Sequence, residues 1–200
     1  MTVCVFNPSE NKLWADTTCM AGGYYVGHVN KIAQRESPFY VHTLAVAGTS
    51  WLCSLVTKLI MTGVGNSSAE NLDHLDLQEE INEALQAVPT IGEEDAFDAI
   101  LVEYNKDSNI TRVFKFNNTM FPFEMQAFGR LICIGQPELC AAVSLAYEVH
   151  MENADLIEFK DVSIGEMINR LSKYSATVQA DAHALCYNTK NIAGGSIYVP

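Results

Sequence analysis

Alternation at the start of the chain sets the first element. Val3 and Val5, then Leu13, Ala15 and Thr17, fall at every second position on either side of Asn7-Pro8-Ser9-Glu10-Asn11, which predicts a β-hairpin closed by a turn. Ala21-Gly22-Gly23 interrupts the second strand. Tyr24 to Val26 and Phe39 to Val46, rich in aromatic and β-branched residues, read as two more strands, with Glu36-Ser37-Pro38 turning into the latter. A β-meander is therefore expected to open the domain. The period then changes. Trp51, Leu52, Leu55, Val56, Leu59 and Ile60 recur at helical spacing behind Thr49 and Ser50, residue types that cap a helix. Gly63 to Asn71 is polar and glycine-containing, and reads as a loop; Asp76-Leu77-Gln78-Glu79 has the form of a capping box for a helix reaching about Val88.

Strand patterning returns after Ala96. Phe97 to Tyr104, Thr111 to Phe116, Phe121 to Met125 and Arg130 to Ile134 are expected strands, the first two joined by a hairpin loop at Asn105-Lys106-Asp107-Ser108-Asn109. Gly135-Gln136-Pro137 starts a helix running to about Met151, with Pro137 at the first helical position, where its missing N–H costs nothing. Ser163-Ile164-Gly165-Glu166 is a second capping box, opening a helix from Glu166 to Tyr174, and Asp181 to Tyr187 reads as a last strand. The order is strands, two helices, strands, two helices, strand. Two antiparallel sheets stacked face to face, each covered outside by a helix pair, bury every apolar face in that order. The expected fold is an α+β four-layer α-β-β-α sandwich spanning residues 1–200 as a single domain.

Composition narrows the function classes. The 200 residues carry 12 basic and 24 acidic side chains, a formal charge of −12, and this argues against nucleic acid, whose affinity for proteins rests on Lys and Arg. With 48% hydrophobic and only 18% charged residues, the chain has a core to bury and does not read as disordered. Apolar runs such as Leu44 to Ala47 and Leu139 to Val143 are far short of the ~20 residues that cross a bilayer, so no membrane segment is expected. The start lacks a basic region and meets Pro8 before an apolar core forms, which argues against a secretory signal and for the cytoplasm.

In that compartment Cys4, Cys19, Cys53, Cys133, Cys140 and Cys186 are expected to be reduced, most of them as small buried hydrophobes. No C-x-x-C or H-x-x-x-H spacing occurs among them and the five histidines, so neither a metal nor a cofactor is expected. The sequons at Asn66, Asn109 and Asn117 carry no meaning in a chain that is not exported. The acidic run Glu70, Asp73, Asp76, Glu79, Glu80 and Glu83 reads as a solvated face first and a partner surface second. Cys186 and His183 lie three apart on an expected strand and so point to opposite faces, which removes them as a thiol and its base. Gly63-Val64-Gly65 follows a helix rather than a strand and is no dinucleotide loop; Phe114, Phe116, Phe121, Phe123 and Phe128 suit a core or a subunit interface.

Thr2 is the residue with chemical potential. Aminopeptidases remove Met1 when the second residue is small, which would leave Thr2 with a free α-amine beside its own hydroxyl. An amine of pKa about 7.7–8.0 is a base poised to take the hydroxyl proton, so one residue would supply nucleophile and base. Alone, a Met-Thr start carries little weight. Thr2-Val3, Leu13-Trp14-Ala15-Asp16, Gly22-Gly23, Lys31-Ile32 and Ala45-Val46-Ala47-Gly48 together resemble the proteasome β-type subunits and the bacterial two-component proteasome-like protease, a family with short relatives carried by phages. The resemblance is good over residues 2–48, loose over about 97–188 and absent between 63 and 95.

It implies the N-terminal nucleophile hydrolase fold, the same α-β-β-α sandwich, and an active site at Thr2, Asp16, Lys31 and Gly48. A cationic Lys31 near Thr2 would depress the pKa of the amine and steady the developing alkoxide, Asp16 would hold that ammonium, and the Gly48 N–H would suit an oxyanion hole. Each has a plainer structural reading: a turn residue, a surface charge, a strand-to-helix joint. The chain departs from the family pattern at Gln136, where a serine is usual, and at Ser172, where the family has an aspartate three residues before the serine matched by Ser175; Ala176-Thr177 replaces a glycine pair. The resemblance further implies a homo-oligomeric ring or spiral, and ATP-dependent unfoldases as partners. Two functions follow from it: a threonine-type peptidase or amide hydrolase, or a non-catalytic relative that assembles or binds a partner.

Overall fold

The computed structural model describes residues 2–16, 18–21, 24–28, 30–66, 79, 82–83, 86–87, 96–118, 123–124, 130–152, 164, 167–168 and 183–186. The chain folds as two units, Met1–Lys31 with Ala127–Pro200, and Ile32–Gln126.

In the first unit, β1 (Val3–Asn7) and β2 (Lys12–Ala15) form the expected hairpin. Its turn is fixed by local polar chemistry: the Asn7 Oδ1 accepts the Ser9 N–H at 3.1 Å, and Asn11 sits at φ 52°, a conformation asparagine tolerates better than most residues. β10 (Ile132–Gly135) and β11 (His183–Cys186) flank the hairpin, all antiparallel, in the order β10-β1-β2-β11. Helix α2 (Pro137–Glu152) covers one face of this sheet. Leu139, Val143 and Tyr147, four apart and so on one side of the helix, pack with Val3, Val5 and Trp14 of the strands and with helical Ile164, Met167 and Ile168.

The single opening meander is not what the chain forms. β2 stops at Ala15, and β3 (Thr18–Ala21) pairs with β4 (Tyr24–His28) as a separate two-stranded ribbon. The early strands are therefore three successive hairpins shared among three sheets, because the chain leaves the first sheet at Asp16 rather than at the glycine pair.

The third hairpin belongs to the second unit, whose five strands run in the order β5-β6-β7-β8-β9: β5 (Ile32–Glu36), β6 (Tyr40–Gly48), β7 (Phe97–Asn105), β8 (Ile110–Asn117) and β9 (Phe123–Glu124). Helix α1 (Ser50–Asn66) lies on one face, with Leu52, Val56, Ile60 and Val64 packed on Leu44, Val46, Phe97, Ala99, Leu101, Phe114 and Phe116. Phe114 and Phe116 are thus core residues. The helix opens where expected, the Cys53 N–H donating to the Thr49 carbonyl at 2.8 Å, but it does not end at Gly63. It continues through Gly63 and Gly65 to Asn66, because Val64 extends the buried stripe by one more turn. Of the acidic run only Glu79 and Glu83 are described, both helical and exposed; the rest, like Phe121 and Phe128, lies outside the described residues.

Candidate functional site

Thr2 enters β1 and is tied down at its backbone. β10 ends in Gly135 at φ 111°, and the chain there passes so close to Thr2 that any Cβ would overlap the Thr2 carbonyl oxygen. The same oxygen accepts the Gln136 N–H at 2.9 Å, one residue before α2 begins. A glycine is required at 135 by backbone conformation and by space at once.

Asp16 is held from the other side. Its N–H donates to the Val3 carbonyl at 3.1 Å, and its Oδ1 accepts the Val3 N–H at 2.9 Å, so both main-chain groups of the residue after Thr2 are bound to Asp16. Its Oδ2 meets the Lys31 Nζ at 2.7 Å. That ammonium also donates to the Thr2 Oγ1 at 2.9 Å. The side chain of Asp16 is 0% exposed and that of Lys31 9%, so this is an ion pair removed from most of the water, tolerable because both carboxylate oxygens have donors.

The arrangement gives the hydroxyl a cationic hydrogen-bond donor whose position is set by a fixed carboxylate. Low exposure strengthens that interaction relative to water, and an ammonium aimed at an oxygen favours its anionic form. Thr2, Asp16 and Lys31 are thus brought together by the ends of β1 and β2 and by the segment after β4. Gly48 lies in the other unit at the end of β6, at φ 139°, where a Cβ would overlap the Ala96 carbonyl oxygen that accepts the Thr49 N–H at 2.9 Å. This crossing demands glycine whatever else the residue does. Ser172, Ser175 and Ala176-Thr177 fall outside the described residues.

Two features of the site escape a reading of residue types. Gln136 departs by its side chain from the pattern the resemblance implies, yet it binds Thr2 through its main-chain N–H, which any residue but proline supplies. Among the described residues its buried side-chain Oε1 has no hydrogen-bond partner, a costly arrangement for a polar atom. Gly135 is visible in the sequence as a glycine between a strand and a helix-starting proline; its close approach to Thr2 is not.

The second unit has its own polar cluster around a buried carboxylate. His42, Glu103 and Arg112 stand opposite one another on β6, β7 and β8. The His42 Nε2 lies 3.0 Å from the Glu103 Oε2, and the Arg112 Nη1 3.7 Å from the Glu103 Oε1. Among the described residues no group of three His, Cys, Asp or Glu side chains is placed to hold a metal ion, and no helix is long and apolar enough to cross a membrane.

No protein-family model and no curated protein sequence matches the chain. Solved structures do. The Anbu complex from Pseudomonas aeruginosa, described as a helical assembly, superposes with a TM-score of 0.67 at 10% identity, covering 94% of this chain and 81% of that one. A Gly-1 mutant of Anbu from Hyphomicrobium sp. strain MC1 gives 0.66 at 17% identity over 94% and 82%. HslV from Trypanosoma brucei gives 0.54 at 10% identity over 94% and 100%. At these identities the likeness concerns the fold: the chain has the proteasome-like fold that Anbu and HslV share.

Proposed function

We propose that the protein is a threonine-type amide hydrolase of the N-terminal nucleophile class, acting on unfolded polypeptide or on a small amide. The observation that carries this reading is the Lys31 ammonium, 2.9 Å from the Thr2 hydroxyl and 2.7 Å from a buried Asp16. A surface lysine has no reason to be withdrawn from water to meet a hydroxyl at the start of the chain.

In the proposed reaction, removal of Met1 frees the Thr2 α-amine. The amine takes the hydroxyl proton while Lys31 stabilises the oxygen as it becomes anionic, and that oxygen attacks the amide carbonyl carbon. The family resemblance, rather than any distance, is the ground for assigning the resulting oxyanion to the Gly48 N–H. Collapse of the tetrahedral species breaks the C–N bond, the departing amine takes the proton held by the α-ammonium, and an ester on Thr2 remains. Water, deprotonated by the same amine, attacks the ester and restores the hydroxyl. Asp16 positions Lys31 throughout and touches no substrate.

The four-layer stacking of the two helix-covered sheets belongs to the same reading. It is supported by the likeness of the fold to Anbu and HslV. So does assembly of this chain into a homo-oligomeric ring or spiral, for which the helical assembly of Pseudomonas aeruginosa Anbu is the support, and service to an ATP-dependent unfoldase.

A second reading, a non-catalytic relative kept for assembly or partner binding, is favoured by Gln136 in the place where the family has a serine. Intact mass of the native protein and hydrolysis of fluorogenic peptides separate the two. The catalytic reading expects a mass lacking Met1 and hydrolysis abolished by Thr2→Ala. Retention of Met1, or hydrolysis unchanged in Thr2→Ala, leaves the assembly reading.

A further inference from the structure

Two thiols meet beside the turn that holds Thr2. Cys133, on β10, stands opposite Val5 and packs against the cluster beneath α2. Cys140 and Ser144 lie one helical turn apart on α2 and therefore on the same face. The Cys133 thiol is hydrogen-bonded to that of Cys140, and its Sγ lies 3.6 Å from the Ser144 Oγ. Cys133 and Cys140 are both reduced and partly exposed, whereas Cys4, on the neighbouring strand, is fully buried.

The hydrogen bond from Cys140 is the main cause that holds the Cys133 thiol below the ordinary thiol value; burial opposes it and Ser144 assists. A partly exposed thiol with enhanced thiolate character is the kind that oxidants find, and a second thiol in contact is what resolves the product.

We propose that Cys133 and Cys140 form a peroxide-oxidisable dithiol that closes to an internal disulfide, locking β10 to the first turns of α2 across Ile134-Gly135-Gln136-Pro137. The oxidant is a hydroperoxide. The Cys133 thiolate attacks its terminal oxygen, the O–O bond breaks, and Cys133 becomes a sulfenic acid while the remaining oxygen leaves as water or alcohol after taking a proton. The Cys140 thiol then attacks the Cys133 sulfur, the S–S bond forms, and the S–O bond breaks with loss of water. Two thiols are oxidised by two electrons, and one peroxide is reduced by two. The sulfur atoms must close from hydrogen-bond contact to about 2.05 Å.

The segment enclosed by the disulfide contains both groups that fix the Thr2 carbonyl, Gly135 by contact and Gln136 by its N–H. Oxidation therefore stiffens the mooring of Thr2. This holds whether or not Thr2 is a nucleophile, so its test is independent of hydrolysis.

Reduced full-length protein is treated with hydrogen peroxide, remaining thiols are alkylated with N-ethylmaleimide, and the protein is cut after glutamate, including Glu138, which separates the two cysteines. The expected result is one cross-linked peptide pair joining Cys133 to Cys140, with loss of alkylation at both. In Cys140→Ser the oxidation stops at a Cys133 sulfenic acid that dimedone captures, and in Cys133→Ser no cross-link forms. The peptide map of the wild-type protein alone decides the matter if either variant fails to fold. Hydrogen exchange at the Gln136 amide is expected to slow on oxidation. Full alkylation of both cysteines after peroxide, or a cross-link from either to another cysteine, overturns the dithiol; unchanged exchange at Gln136 overturns the lock.

Discussion

Asp16 and Glu103 are both buried carboxylates held against basic side chains, one in each unit, and they differ in what their partners do next. Lys31, satisfied on one side by Asp16, extends a further donor to the Thr2 hydroxyl. His42 and Arg112, placed opposite Glu103 by strand register, each meet one carboxylate oxygen, and Arg112 also lies over the Phe114 ring and is 41% exposed to water. A buried acid–base pair is thus no mark of a site in its own right. What distinguishes the first cluster is a third member, the Thr2 hydroxyl, at a place where both neighbouring backbone segments are pinned.

The largest expected contrast is in stability. Asp16→Ala leaves a nearly buried lysine without its counter-charge and the Val3 N–H without an acceptor, and is expected to cost about 3–5 kcal/mol in urea denaturation. Glu103→Ala is expected to cost about 1–3 kcal/mol, because Arg112 already reaches water and the loss falls on the buried hydrogen bond to His42. Equal costs would show that the two carboxylates are equivalent in the fold. In hydrolysis, Lys31→Met removes the donor to the reacting oxygen and is expected to lower the rate by about 10²–10³-fold, with Glu103→Gln unchanged.

Backbone positions sharpen the same contrast. Gly135→Ala forces a side chain into the Thr2 carbonyl at a positive φ and is expected to lose both hydrolysis and about 1–3 kcal/mol of stability. Asn109, at φ 56° in the β7–β8 turn, accepts a 2.7 Å hydrogen bond from the Tyr104 hydroxyl; Asn109→Ala is expected to cost about 1–2 kcal/mol and leave hydrolysis intact. Smallest is Lys106→Ala, which removes a 2.6 Å ion pair to the exposed Glu36 and is expected to cost no more than about 1 kcal/mol.

The regions also differ in how legible they are from sequence. The β1–β2 hairpin is marked by its Asn-Pro-Ser-Glu-Asn turn, and the start of α1 by its period. The end of α1 is not marked, since two glycines cost about 1 kcal/mol each in a helix and only the burial of Val64 on the sheet outweighs them. β5 leaves no strand signal: Gln34, Arg35 and Glu36 are exposed on a strand that lies at the edge of its sheet, where polar residues guard against further pairing and erase the alternation. Thr2, Asp16 and Lys31 are legible as a set because a family resemblance fixes their order. The mooring of Thr2 by Gly135 and Gln136 is not, because it is made by main-chain atoms brought together from far apart in the chain, and side-chain identity carries almost none of it.

In the proposed function, Lys31 turns the Thr2 hydroxyl into a nucleophile. Its most direct test is covalent labelling by a threonine-directed electrophile such as a peptide boronate or a β-lactone, read by peptide mass in three proteins side by side. An adduct is expected on a chain beginning at Thr2 in the native protein and in Glu103→Gln, and none in folded Lys31→Met. A native chain that keeps Met1 and takes no adduct, or a Lys31→Met protein labelled as fast as the native one, would contradict it.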